Sequence, residues 1–279
     1  MAPMSQRFAD LPSRALVQVS GPDWRSFLQG LISNDVEALL PGQMRFAALL
    51  TPQGRLLFDM FVVGQPDGCL LDVQAAAREA LIQRLQIYRL RAKVEIAPDN
   101  RLAAALWSDD AGGVEAPEGW IADPRLPALG FRGVGTGPPT GAETVDEDGY
   151  NAFRLALGVP DPAGDCLPDK TYPIEADFDL LNGIDFNKGC YVGQETTSRM
   201  KRRGGVRSRM LPITFEGEAP AFGAEVMAGT LRAGEVLSGR TGRAMALLRL
   251  DRIQDAALTA DGRPVTVQHP PWVTAPPTS

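Results

Sequence analysis

The chain has 279 residues, enough for two or three packed units that each bury a core, and its 44% hydrophobic, 22% charged and 7% aromatic content is ordinary for a soluble globular protein. A net charge of -6 argues against direct nucleic-acid binding, and no apolar run reaches transmembrane length, so no membrane is expected as a partner. Three widely spaced cysteines, Cys69, Cys166 and Cys190, suggest neither a disulfide framework nor a self-contained zinc site, and the lone histidine, His269, removes most routes to imidazole chemistry.

The opening M-A-P-M-S-Q-R-F-A-D lacks the basic-then-apolar order of a secretory signal and the Arg-rich length of a transit peptide, which sets the expectation of a cytoplasmic protein. From Arg14, A-L-V-Q-V-S reads as a strand, followed by Gly21-Pro22 and by Asp23 as N-cap of the helix W-R-S-F-L-Q-G-L. M-R-F-A-A-L-L and R-L-L-F-D-M-F-V-V are apolar runs around T-P-Q-G, a hairpin signal, and C-L-L-D-V is a further strand. Residues 75–91 carry Leu81, Ile82, Leu85 and Tyr88 on one helical face, and K-V-E-I ends a strand at Pro98. Together these elements describe an α+β sandwich with helices on one face of a largely antiparallel sheet.

R-L-A-A-A-L-W and the Gly/Pro-rich stretch through Pro139 read as strands and loops of a second subdomain. Residues 142–157 read as a helix, and E-A-D-F-D-L-L-N-G as a short one. After Gly205, short apolar stretches punctuated by glycine read as a small all-β barrel or sandwich, with a boundary near Gly204-Gly205 and a loose tail over 271–279. The larger part, 1–204, divides near residues 98 and 140.

The chemistry concentrates in N-K-G-C-Y-V-G-Q-E, Asn187 to Glu195. Thiolate is the reactive form of cysteine, and a cation or a helix N-terminus favours it. Lys188 supplies a cation two residues before Cys190, Gly189 loosens the backbone, and Gly193 precedes a helix opening at Gln194. Against this stands the reading of Cys190 as a small buried hydrophobe and Lys188 as a solvated charge. Gln194 and Glu195 either orient a ligand with donor nitrogens or cap the helix. The run from Arg199 to Arg209 holds six positive charges and no acid, and reads either as a patch for an acidic partner or anionic ligand tail, or as a solvated helix end. No base lies near Cys190, so a Cys-His hydrolase is a poor reading.

K-G-C-Y-V-G-Q-E resembles the signature of the YgfZ-type folate-binding proteins and iron–sulfur assembly factors, relatives of the glycine cleavage T-protein. F-L-Q-G-L-I-S-N-D-V, L-T-P-Q-G-R-L-L-F-D, Y-R-L-R-A-K-V, F-R-L-A-L-G-V-P and P-I-E-A-D-F-D-L-L-N-G-I-D-F follow in that family's order. The resemblance implies a T-protein-like domain of α+β subdomains around a central cavity over 1–204 and a C-terminal β-barrel over 205–270. It further implies tetrahydrofolate as ligand, with Asn34, Asp59, Arg154, Gln194, Glu195 and Arg199 around it and Lys188 and Cys190 as the functional pair. The role implied is maturation of [4Fe-4S] proteins such as radical tRNA-modifying enzymes, with A-type carriers and client enzymes as partners of a monomer. A cluster usually needs four thiolates or their substitutes, so Cys190 is expected to touch iron only in a shared, transient complex. The alternative is a folate-dependent aminomethyltransferase. It is weakened because the relatives' adjacent aspartates read Phe58-Asp59 here, and the acid of their R-x-E-A-G reads Ala156 behind Arg154. A tRNA-binding module using Lys201, Arg202 and Arg203 is the third reading.

Overall fold

The computed structural model describes residues 6–108, 116–202, 206–254 and 256–273. The boundary expected at Gly204-Gly205, Arg203 of the basic run and the tail beyond residue 273 lie outside these described residues.

The chain opens with β1 (Gln6–Asp10) and β2 (Arg14–Ser20), then α1 (Trp24–Gln29). Asp23 precedes α1, but its side chain caps nothing there; its carboxylate accepts from the Lys93 backbone N–H at 2.8 Å instead. The hairpin β3 (Met44–Leu50) and β4 (Leu56–Gln65) turns at T-P-Q-G, followed by β5 (Gly68–Gln74), α2 (Arg78–Arg89) and β6 (Glu95–Asp99). These strands form one antiparallel sheet in the order β3-β4-β5-β2-β6. Side chains alternate faces along a strand, and here both faces are buried. Met60 and Val62 of β4 pack with Trp24, Phe27 and Leu28 of α1 and Leu81, Ile82 and Leu85 of α2. Phe61 and Val63 face a second core shared with the rest of the molecule.

A second sheet holds β7 (Ala103–Ser108), β8 (Trp120–Ala122), β9 (Phe131–Val134) and β10 (Glu143–Thr144), in the order β10-β1-β7-β9-β8. Because β1 sits inside this sheet, the subdomain expected over about 1–98 gives up its first strand to the second unit. α3 (Glu147–Ala156) starts five residues later than residue 142, where the helix was expected, since residues 143 and 144 pair with β1 and Asp146 caps the helix by accepting from Gly149 N–H at 2.9 Å. A one-turn α4 (Pro162–Asp165) follows. The stretch E-A-D-F-D-L-L-N-G is a series of turns and not a helix, because Asp177 and Asn182 adopt φ of 60° and 55°.

After α5 (Gln194–Arg202) come β11 (Ser208–Thr214), β12 (Glu225–Ala228), β13 (Leu231–Arg240), β14 (Arg243–Arg249), β15 (Leu258–Ala260) and β16 (Arg263–Val267). They close into a barrel in the order β11-β14-β13-β12-β15-β16, filled by small and branched apolar residues such as Val226, Val236, Ala244 and Ala246. The architecture is thus α+β with a C-terminal barrel. Polar groups dock the barrel onto the body: Asp165 accepts from Ser238 N–H at 3.0 Å, Trp272 donates to the Leu157 carbonyl at 2.8 Å, and Arg209 pairs with Asp177 and Asp179.

Candidate functional site

The loop that carries Cys190 is built by anchoring its neighbours. Asp185 accepts from the backbone N–H groups of Asn187 at 2.7 Å and Lys188 at 3.2 Å, a side-chain turn that bends the chain outward. The Lys188 ammonium then reaches back to the end of α1 and donates to the carbonyls of Gln29 (2.9 Å), Ile32 (2.7 Å) and Asn34 (2.8 Å). An ammonium has three donors, and all are used. Burial pulls this lysine down to about 8, against the opposing pull of Asp35, Asp185 and Glu37. On the far side Tyr191 is buried in the shared core, and its N–H donates to the Gln194 side-chain oxygen at 3.3 Å. Between two fixed neighbours, Cys190 is exposed.

Two glycines lock this loop to the β3–β4 hairpin. Gly193 has φ of 81°, and a Cβ there would lie 2.4 Å from the Thr51 carbonyl oxygen; Gly54 has φ of 82°, and its Cβ would lie 2.8 Å from Thr196 Cβ. The T-P-Q-G and C-Y-V-G-Q-E segments therefore meet backbone to backbone, a contact only glycine permits. Helix α5 leaves from this junction with Glu195, Arg199, Lys201 and Arg202 exposed or half-exposed, and the Lys201 ammonium lies 5.1 Å from the centre of the partly exposed Phe186 ring.

The residues expected around folate do not share one place. Asp59 and Arg154 line a single central cavity of about 30 Å³, together with Arg14, Arg125, Arg132 and Tyr150. Asn34 lies beside the Lys188 loop, where its side-chain amide donates to the carbonyls of Phe46 and Asn182, both at 2.7 Å, and its side-chain oxygen accepts from Asp35 N–H. Gln194 turns its side-chain oxygen back to the Tyr191 N–H, ahead of α5, and Glu195 and Arg199 are exposed to solvent. Arg154 is buried, not a surface residue, and donates to the Val159 carbonyl, with its Nε unpartnered.

A charged network that the sequence reading missed fills the centre. Arg14 pairs with Asp59 at 2.9 Å and with Asp72 at 2.7 Å, Arg132 with Asp72 at 2.7 Å, and Arg125 with Asp123 at 2.8 Å. Burial alone raises Asp72, but Arg14 and Arg132 outweigh it and hold the carboxyl below its ordinary range. Gln74 takes the other oxygen of Asp59 at 3.0 Å, so both oxygens of that carboxylate are occupied. The signal was present in single charges inside apolar strands, Asp72 in C-L-L-D-V and Arg132 in F-R-G-V. Sites for folate-sized ligands typically enclose ~300–1,000 Å³. With Arg14, Arg125 and Arg132 paired to carboxylates around it, this space of about 30 Å³ is too small for tetrahydrofolate.

No group of three or more His, Cys, Asp or Glu side chains able to hold a metal occurs among the described residues. Cys69 is buried in β5 and burial pushes its thiol well up; Cys166 is half-buried and likewise raised, first by burial and then by Asp165. Cys190 is the exposed thiol of the three. No helix among the described residues is long and apolar enough to cross a membrane.

Fold and loop together define the class: an aminomethyltransferase-like body and closed barrel that display one anchored cysteine. Residues 207–275 match the family described as CAF17, C-terminal beta-barrel domain. Over 98% of this chain and 87% of the other, the structure is similar to the glycine cleavage system aminomethyltransferase T from Bartonella henselae, with a TM-score of 0.75 and 19% identity, a likeness of fold. The iron-sulfur cluster assembly factor IBA57, mitochondrial, of Mus musculus is 32% identical over 88% of this chain and 78% of its own length. Its Homo sapiens counterpart is 30% identical over the same shares. The IBA57 homolog of Mycosarcoma maydis is 37% identical over 75% of this chain. The chain belongs to the IBA57 family of iron–sulfur cluster assembly factors. It spans 57% and 55% of the length of the relatives from Mycosarcoma maydis and Neurospora crassa. The cytoplasmic expectation is corrected by these relatives, which are named mitochondrial and point to that compartment.

Proposed function

We propose that this chain assists the assembly of iron–sulfur clusters, offering Cys190 as a single thiolate ligand in a complex shared with a carrier protein. The observation that carries this reading is the exposed Cys190 held between an anchored Lys188 and a buried Tyr191. One thiolate cannot hold a cluster alone, so the remaining ligands come from the partner, an A-type carrier or a [4Fe-4S] client such as a radical tRNA-modifying enzyme. On binding iron the thiol gives its proton to solvent and its sulfur completes the cluster's coordination. Membership of the IBA57 family supports the role, and the fixed loop supports the geometry, since a preorganised donor loses little freedom on binding.

Folate chemistry has no part in this proposal, because the central cavity is occupied by the Arg14, Arg125 and Arg132 network. The test is complementation in cells lacking the native protein. Cys190→Ser is expected to accumulate normally yet to leave a [4Fe-4S] enzyme inactive. Full activity with Cys190→Ser would falsify the proposal.

A further inference from the structure

The end of α2 presents a feature that neither the core nor the Cys190 loop uses. Ile87 and Leu90 are 66% and 87% exposed, and Leu90 takes φ of 44°. That is the left-handed region, which branched side chains seldom occupy. Around them Arg84, Arg89, Arg91 and Lys93 are exposed, and none of these four side chains has an ion pair or hydrogen bond among the described residues. Free cations ringing an exposed apolar pair stand out on a chain whose net charge is -6.

This tip is tied to the Cys190 loop through α1. At the start of α1, Asp23 accepts from Lys93 N–H, and Gly21 lies so close that a Cβ would sit 2.4 Å from the Lys93 carbonyl oxygen. At its other end, the Gln29 carbonyl accepts from Lys188. A helix of this length spans about 9 Å. The two anchors are therefore close enough to share one protein–protein footprint of ~800 Å² per partner.

We infer that the α2 tip is a docking surface for an acidic protein, with Leu90 and Ile87 as the apolar anchor and Arg84, Arg89, Arg91 and Lys93 as the steering charges. Four free cations call for an anionic partner. The projecting leucine and isoleucine call for one that also offers apolar cover, as a protein surface does and a phosphate backbone does not. Two apolar side chains are also too few for a helix lying in a bilayer surface, which needs a continuous apolar face. The inference rests on the iron–sulfur reading only for the choice of probe.

The probe is an apo A-type iron–sulfur carrier protein of acidic pI, titrated into the full chain at two ionic strengths. Leu90→Gly removes the anchor and relieves the positive φ, so it is expected to keep or raise the melting temperature while weakening binding at least about tenfold. Arg89→Glu with Arg91→Glu is expected to weaken binding to a similar degree and to flatten its salt dependence. Unchanged affinity in both tip variants, or a wild-type chain that does not bind the carrier, overturns the inference. So does a loss confined to phosphatidylglycerol vesicles or to tRNA, which would give the patch to a membrane or to RNA. Complementation by Cys190→Ser judges the iron–sulfur reading independently of all these results.

Discussion

Lys188 joins two roles that the sequence alone sets apart: it stands two residues from the thiol, yet its ammonium is spent on three carbonyls at the end of α1. Lys188→Met would leave those carbonyls without their donor, a loss of about 2 kcal/mol that denaturant unfolding should detect. Its titration adds a pH signature. The folded lysine releases its proton near 8 and the unfolded one near 10.5, so stability from this group is present above 10.5 and lost as pH falls through 8. The rise in stability between those pH values should therefore be smaller in Lys188→Met than in the wild type; equal slopes would show that the lysine is not desolvated. Asp59 makes a second expectation at this scale. Because Arg14 and Gln74 hold both its oxygens, tetrahydrofolate titrated by anaerobic calorimetry should give no saturable heat. Saturable binding would mean that the arginine network opens to admit the ligand.

Packing of element on element explains which parts of the site were readable in the sequence. The glycines of T-P-Q-G and C-Y-V-G-Q-E are visible as turn residues, but that one turn sits on the other follows only from the fold. Gly193→Ala should cost at least about 1–3 kcal/mol, since a Cβ would strike the Thr51 carbonyl and a positive φ disfavours alanine. Gly189→Ala, with no atom within 4 Å of its Cβ, should change stability by less than about 0.5 kcal/mol. Similar thermal melts for the two variants would refute the glycine-to-glycine contact. The hairpin, α2 and the opening of α5 are legible because their signals are local: apolar alternation, a helical stripe and a glycine just before the first helical residue. Lys188's acceptors lie more than 150 positions away in the chain, so no local pattern could reveal them. The turns over residues 172–182 mimic a helix in composition, and only the left-handed Asp177 and Asn182 break it. β1 escaped notice because its short run Q-R-F-A-D alternates weakly and becomes a strand by pairing with β7.

At the scale of the whole molecule, the barrel and the body meet over one buried charge cluster. Arg209 opens the barrel on β11 and reaches Asp177 at 2.7 Å and Asp179 at 2.9 Å, both on the turns that lead into the Cys190 loop. Asp177 is fully buried, its second oxygen has no partner, and burial pushes it up to about 7 in spite of Arg209. A carboxyl raised in the folded state contributes stability that is complete below its unfolded value near 3.8 and is lost as pH rises through about 7. Asp177→Asn has no such titration. The stability of the wild type relative to that variant should therefore decline between pH 4 and pH 7 and then level off, which unfolding curves at matched pH values would measure. Arg209→Met tests the same cluster from the other side. It strands the buried Asp177 without its cation, a loss of about 3–5 kcal/mol that should be larger at pH 8, where that carboxyl is ionised, than at pH 5, where it holds its proton. If the loss were the same at both pH values, Asp177 would be ionised throughout, and the barrel would be held by a plain ion pair instead of a junction that loosens as the carboxyl charges.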